Sequence, residues 1–349
     1  MARVLCAMSG GVDSSVAAAL LRDEGHEVTG VTMKLWGGDS DTGCCSVSDV
    51  DDARRVADQL GIEHHVFNFG EDFEKWVVGP YIADHQAGRT PNPCIECNRH
   101  IKFDRLLERA EVLEFDYVAT GHHAKVVRAD DGTLLLGRGY DYAKDQSYVL
   151  HMLDQNQLAK LLLPIGSMTK DRVRELAAGY GMRTASKPDS QDVCFITSVQ
   201  GRGKFLEERI NLTPGRIVDT DGAQVGQVEG VQLVTIGQRK GLDVGGHATP
   251  RYVVDIDVPT STITLGTKND LLTDVTALTN AEWSAGAVSG KVLVQTNAHG
   301  DTATAVLGAD SITWDKPHRK IAAGQSLVFY RQDPAHGELV VGGAMAAKL

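Results

Sequence analysis

The chain of 349 residues has no long apolar run. The best of them, VAAALL at 16–21, falls far short of the about 20 residues a membrane helix needs. The opening MARVLCAMSGG has neither the apolar core nor the small-residue cleavage site of a secretory signal. These absences point to a soluble, cytoplasmic protein. There is also no surplus of positive charge: the formal net charge is −11. Indiscriminate binding to nucleic acid, which rests on phosphate neutralisation, is thereby excluded; a selective RNA partner is not. Internal repeats and low-complexity segments are missing. So are the Gly-Lys-Ser/Thr of a Walker A loop and the G-x-G-x-x-G of a dinucleotide fold.

What is present is ordinary for a globular protein, with 42% hydrophobic and 23% charged residues, and the length allows two or three domains. RVLCAMS (3–9) reads as a buried strand, followed by a glycine turn and an apolar helix from Ser14 to about Glu24, ended by Gly25. EVTGVTMKLW (27–36) and IEHHVFNF (62–69) read as further strands, and FDYVATGHHAKVV (115–127) as a later one. Between them Ala53, Val56, Ala57 and Leu60 recur at helical spacing, with Gly61 as the cap. A helix over 169–180 places Val173, Leu176, Ala177 and Tyr180 on one side. Alternating strands and helices predict a doubly wound parallel α/β sheet. Beyond about 205 glycines multiply and short β-rich runs such as RIVDT, YVVDIDV and TITLG follow at close spacing, so two small mainly-β domains are expected. The division predicted is 1–205, 206–270 and 271–349.

Six cysteines in such a chain are not a disulfide framework, because cytosolic thiols are kept reduced. Cys6 sits in an apolar strand and reads as a small core residue. Cys44, Cys45, Cys94, Cys97 and Cys194 lie in loop-like contexts. The pair in TPNPCIECN (90–98) could belong to a zinc site, a redox couple or sulfur chemistry. Zinc would want a second Cys or His pair at ordinary spacing, which adjacent Cys44 and Cys45 supply poorly. The basic residues Lys170, Arg172, Arg174, Arg183 and Lys187, and the pair Arg239–Lys240, read as solvated helix faces when taken alone. His64 and His65 have no supporting motif.

SGGVDSS (9–15) closes the first strand and opens the first helix. Two glycines let the backbone approach a phosphate, and the helix start offers unpaired N–H groups and a positive dipole end. In this position S-G-G-x-D-S resembles the signature of the PP-loop ATP pyrophosphatases, adenine nucleotide alpha hydrolase-like enzymes that split ATP between its α and β phosphates and adenylate a substrate oxygen. The resemblance assigns phosphate or Mg²⁺ positioning to Asp13, and pyrophosphate binding to Ser9, Ser14 and backbone amides.

VTMKLW (31–36), GRTPNPCIECNRHIKF (88–103), ATGHHAK (119–125), KDQSYVL (144–150), KPDSQDVCFI (187–196), TIGQRKGL (235–242) and AAGQSLVFY (322–330) follow in that order. Together they resemble the tRNA-specific 2-thiouridylases, the MnmA/TrmU family, over nearly the whole chain. The resemblance implies ATP-dependent 2-thiolation of the wobble uridine of tRNAs, those for Lys, Glu and Gln, through an adenylated uridine. It assigns ATP and Mg²⁺ as cofactors, with ATP held by Ala7, Met8, Ser9, Gly10, Gly11, Val12, Asp13, Ser14, Met33 and Gly121. It assigns tRNA contacts to His122, Lys144, Asp145, Gln146 and Gln325. Cys97 and Cys194 become the catalytic pair: Cys194 carries a persulfide supplied by a cysteine desulfurase or sulfur carrier protein, and Cys97 resolves it, liberating sulfide or leaving a transient disulfide. Lys187 is expected to favour the Cys194 thiolate, Asp189 and Asp192 to oppose it.

Cys94 departs from one branch of the family, which carries Asp there. It leaves open an alternative in which Cys94, Cys97 and Cys194 ligate a [4Fe–4S] cluster that carries sulfide. A second departure lies in KVLVQTNAHG (291–300): Gln295 and Thr296 stand where many relatives carry an RNA-contacting Arg-Tyr-Arg-like run, so RNA docking is adjusted or His318, Arg319 and Lys320 take over. The sequence admits two rival readings. An amidating PP-loop synthetase would not need the cysteine pair, and a non-enzymatic metal protein that binds RNA would have no use for SGGVDSS.

Overall fold

A computed structural model of the chain describes residues 1–35, 47–189, 193–196, 201–242, 244 and 249–348. Cys44, Cys45 and Asp192 lie outside the described residues. Three strands, β1 (Arg3–Ala7), β2 (Glu27–Lys34) and β3 (Glu63–Asn68), pair in parallel, and β4 (Tyr117–Ala119) pairs with the other edge of β1. Next come a hairpin, β5 (Ala124–Arg128) with β6 (Leu134–Arg138), and then β7 (Leu161–Leu162), which completes the parallel sheet in the order β3-β2-β1-β4-β7. This is the doubly wound α/β arrangement.

Alternation along β1 explains its apolar run. Val4 and Cys6 turn into one core with Val16, Ala17, Ala53 and Val56; Leu5 and Ala7 turn into the other with Phe73, Phe103 and Tyr148. Helices α1 (Val12–Asp23) and α2 (Val47–Leu60) cover the first face. In α2 the buried residues are Ala53, Val56, Ala57 and Leu60, the four that the spacing singles out. The Lys170–Gly179 helix joins them, burying Val173 and Ala177 fully and Leu176 and Tyr180 in part.

The stretch 115–127 is not one strand. It breaks at Thr120–Gly121, so β4 belongs to the parallel sheet and β5 to an antiparallel one. After residue 205 the chain is β-rich, as its composition predicts. A small sheet in the order β10-β11-β8-β9 consists of β8 (Gly215–Asp219), β9 (Gln224–Val228), β10 (Tyr252–Asp257) and β11 (Thr262–Gly266) around Ile217, Val231, Val253 and Ile263. The strands β12 (Leu272–Trp283), β13 (Gly290–Gln295), β14 (Ala303–Leu307), β15 (Ser311–Arg319), β16 (Ser326–Asp333) and β17 (Gly337–Ala346) run β12-β15-β14-β13-β16-β17, and β12 also pairs with β17, closing a barrel.

The hairpin β5–β6 is attached to this barrel, because β6 pairs with Leu339 and Val340 of β17. A buried polar network fastens the join. Arg138 donates to Asp145 (3.0 Å) and to Gln295 Oε1 (3.2 Å), while Tyr330 Oη donates to the same Gln295 oxygen (2.7 Å). Gln295 is therefore a structural residue, 1% exposed. No helix among the described residues is long and apolar enough to cross a membrane.

Candidate functional site

The turn after β1 and the end of β4 meet at the C-terminal edge of the parallel sheet, where the strand order reverses. In open α/β sheets this crevice is the usual ligand site. Gly11 precedes α1 without a side-chain cap, so the first amides of the helix have no capping side chain. Ser14 organises the turn: its hydroxyl accepts from the Ser9 amide (3.2 Å) and donates to Gly11 O (3.3 Å). Gly10 has φ +73° and lies against the Asp49 backbone, which leaves no room for a Cβ.

These elements border a cavity of 570 Å³, within the range of small-molecule sites. Ala7, Met8, Ser9, Asp13, Ser14, Met33 and Gly121 line it, as do Cys94, Cys97 and Cys194, and His122, Lys144, Asp145 and Gln146. Gly10, Gly11 and Val12 belong to the same turn without lining the cavity. Gln325 stands elsewhere: its side-chain amide donates to Thr90 O, and Thr90 N donates to Ala323 O (2.8 Å). It thus ties the turn before β16 to the segment that leads into the cysteine loop.

Asn92 starts that loop, its Oδ1 accepting from Cys94 N (3.1 Å). Helical backbone then runs from Pro93 to Val112, part of it π-helical, so Cys94 and Cys97 occupy its first turns, nearest the positive end of its dipole. Cys194 follows Val193, whose φ of +55° is rare for a β-branched residue and marks a sharp turn. Phe195 anchors the same segment with ring centroids 5.7 Å from Phe73, 5.4 Å from Tyr81 and 5.4 Å from Phe205. Among the described residues no three His, Cys, Asp or Glu side chains are gathered closely enough to hold a metal ion. The three cysteines share the cavity wall.

His122 is buried, and burial together with the nearby Lys102 charge holds its pKa well below the ordinary value. Lys102 can only donate, to Nε2 (3.4 Å), so Nδ1 carries the proton shared with Thr120 Oγ1 (2.7 Å). The Asp145 carboxylate is committed to Arg138, to Gly139 N (2.8 Å) and to Ser147 (2.8 Å), shaping the turn that presents Lys144. Gln146 Oε1 accepts from His123 N (2.9 Å).

Further cavity residues gather around Asp13: His123 from ATGHHAK, Asp189 from KPDSQDVCFI, and Lys170. His123, 2% exposed, donates from Nε2 to Asp13 Oδ1 (3.2 Å), and its Nδ1 is buried without a partner. Lys170 and Asp189 also line the wall, with Lys170 Nζ 2.7 Å from Asp13 Oδ2. Burial raises the Asp13 pKa, but the hydrogen bonds from His123 and Lys170 outweigh it and hold the group below the usual carboxylate range. Lys187 is tied to the phosphate turn and α2. It donates to Asp49 (2.7 Å), Asp52 (2.8 Å) and Gly10 O (3.0 Å), bracing the phosphate turn against α2. His64 bonds Thr32 Oγ1 (2.9 Å), a structural use.

Two family profiles match the chain: one described as "tRNA methyl transferase HUP domain" over residues 2–198, the other as "tRNA methyl transferase PRC-barrel domain" over 203–267. Full-length relatives bear the name tRNA-specific 2-thiouridylase MnmA. That of Streptomyces avermitilis is 46% identical over 99% of this chain and 94% of its own length. Those of Carboxydothermus hydrogenoformans (45%, covering 99% and 98%) and Chloroflexus aurantiacus (44%, covering 100% and 99%) are equally complete.

Proposed function

This chain belongs to the tRNA-specific 2-thiouridylase family, and from that premise we propose how its cavity carries out ATP-dependent 2-thiolation of the wobble uridine of tRNA. The single observation that carries the reading is one cavity lined by the phosphate turn, Cys97 and Cys194 together. Methyl transfer, the wording of the family profiles, would call for neither an ATP-type phosphate turn nor a pair of thiols.

The uridine is extruded from its stack to reach the cavity, as base-modifying enzymes require. ATP lies with its phosphates on the 9–14 turn and the start of α1, its adenine side toward Met33 and Gly121. Asp13, held ionised, is the carboxylate that would face the metal of Mg·ATP. Uridine O2 attacks the α-phosphorus, pyrophosphate leaves, and the base loses its N3 proton. The terminal sulfur of a Cys194 persulfide then attacks C2. The Cys97 thiolate attacks Cys194 Sγ, so a disulfide forms between the two cysteines as the C2 sulfur is released to the base and AMP departs. The electrons balance: the Cys97 sulfur is oxidised from thiolate to disulfide as the transferred sulfur is reduced, Cys194 Sγ exchanges one S–S bond for another, and N3 regains a proton as the C2 thiocarbonyl forms. A cellular thiol reopens the disulfide. No step needs a cluster.

Lys144 and Gln146 at the mouth, with His122 inside, serve the tRNA. Gln325 acts through the Thr90 segment. Residues 1–205 form the catalytic part, 206–270 a small β-rich part, and 271–349 the part that meets the tRNA stem. The tRNAs for Lys, Glu and Gln are the substrates, and a cysteine desulfurase, directly or through a carrier, charges Cys194 in the cytoplasm.

The test combines purified protein, tRNA, Mg·ATP and a persulfide donor, with 2-thiouridine read by mass spectrometry of digested tRNA. Wild type makes it only with ATP. Cys194→Ser and Cys97→Ser lose thiolation while keeping tRNA-dependent pyrophosphate release. Absence of 2-thiouridine from wild type, or full activity in Cys194→Ser, would overturn the reading.

A further inference from the structure

Lys170 is 7% exposed, and its ammonium bridges carboxylates from distant parts of the chain: Asp13 Oδ2 at 2.7 Å and Asp189 Oδ1 at 2.9 Å. The Lys170 backbone N–H is fixed by Asp141 Oδ2 at 3.0 Å, at the start of a helix capped by Thr169. Asp189 gathers two more cations, Lys144 at 2.8 Å and Arg174 at 2.8 Å. An ammonium has three N–H donors, and the two carboxylates take two of them. The third belongs to a side chain on the cavity wall. With Asp141, which also acts on Lys144, three cations meet three carboxylates, so the cluster is balanced and what it offers the cavity is a hydrogen-bond donor. The mechanism above uses neither Lys170 nor Asp189, yet between them they connect its two halves. Asp13 belongs to the ATP turn, and Asp189 stands five residues before Cys194.

Resting on the thiolation reading, we propose that Lys170 and Asp189 form an ion-pair relay between ATP and the sulfur carrier. Lys170 gives its third N–H to a phosphate oxygen of ATP, and Asp189 is the positioning residue that keeps the Cys194 segment in register with the adenylated base. Filling the ATP site then steadies the end of the segment from which sulfur is delivered. Burial works against ionisation of Asp189, but the hydrogen bonds and charges of Lys144 and Lys170 hold it far below the usual carboxylate range, so the relay is charged at every pH at which the enzyme works. Without the relay the activated base waits for a misplaced persulfide. Water attacks C2 instead, regenerating uridine and releasing AMP.

The experiment measures tRNA-dependent pyrophosphate release and 2-thiouridine formed per AMP, in full-length protein with Cys194 persulfidated beforehand. Asp189→Asn leaves the Lys170–Asp13 pair in place. It should keep most of the pyrophosphate release while 2-thiouridine per AMP falls roughly tenfold to a hundredfold, the cost of a displacement of about 1 Å. Inorganic sulfide, which needs no carrier cysteine, should restore that yield; a general folding defect would not be rescued in this way. Lys170→Met should raise the KM for ATP about tenfold, as loss of one charge-assisted hydrogen bond implies, and Lys170→Arg should recover much of it. The relay is overturned if Asp189→Asn leaves the yield per AMP unchanged, whether both products fall in proportion or neither does, or if Lys170→Met leaves the KM for ATP unaltered. Wild type that makes no 2-thiouridine would instead remove the functional reading beneath it.

Discussion

At Gly121 a Cβ would stand 2.5 Å from the Ser14 amide nitrogen and 2.6 Å from the Asp13 carbonyl carbon, both backbone atoms at the start of α1. Neither can swing aside as a side chain would, so Gly121→Ala must push β4 away from the phosphate turn. Overpacking of this kind costs about 1–3 kcal/mol, and ATP affinity should fall roughly tenfold to a hundredfold, read by calorimetric titration; an unchanged Kd would show that the contact does not shape the ATP site. The phosphate turn was legible because its signal is local: glycines, serines and an aspartate in seven consecutive residues. Lys170, Asp189 and His123 were not, because what makes them functional is a partner far along the chain. Lys170 and His123 meet Asp13 from 157 and 110 residues away. The partners of Lys187 were hidden in the same way. Proximity in sequence to Cys194 suggested an electrostatic partner, whereas Asp49, Asp52 and Gly10 O hold its ammonium in the fold.

Periodicity recovered the helices and strands of the first half well, because each buries one defined face. It could not say which sheet a strand joins. β4 and β5 lie in one apolar stretch of sequence, yet Gly121 divides them between a parallel sheet and the β5–β6 hairpin that pairs with β17, about 200 residues on. Nothing in the local pattern distinguishes the two pairings. The Cys194 segment poses a similar question, since it is held by Phe195, set among Phe73, Tyr81 and Phe205, with Val193 and Ile196 packed beside it. Phe195→Leu keeps an apolar side chain and loses the edge-on ring contacts, at a cost of about 2 kcal/mol. Because the phosphate turn makes no part of that aromatic cluster, 2-thiouridine formation should drop several-fold while the Kd for ATP stays unchanged. Equal loss of both would mean that the aromatic cluster supports the whole cavity and not the sulfur segment alone.

At the scale of the molecule, two buried histidines sit where the α/β part meets the β-rich parts. His85, 3% exposed, lies beside the Gln232 backbone of the small sheet's segment, with Arg202 and Asp84 as the nearest charges. His151, 4% exposed, packs on Gly343 of β17, near Arg99 and Glu282, and shares a hydrogen bond with Tyr148 O (2.9 Å). Burial pushes each pKa from 6.5 down to about 4. A depressed histidine binds its proton more tightly in the unfolded chain than in the fold. Its contribution to stability is therefore complete above about pH 6.5 and is lost as pH falls toward 4. By pH 5 each should cost about 2 kcal/mol, and His122, lowered well below its ordinary value by burial, adds to the same trend. Asp13 and Asp189, with pKa values below the ordinary 3.8, start to lose their share only at lower pH, so they do not blur this window. The urea midpoint should therefore drop between pH 7.5 and pH 5.0, and the drop should shrink in His151→Gln, which cannot take up the proton. Because both histidines are at joins and not inside one core, the β-rich parts should loosen first, seen as earlier hydrogen exchange in β17 and around Gln232 than in β1. A midpoint that is flat across this range, or exchange that begins in β1, would mean that these joins do not govern how the molecule comes apart.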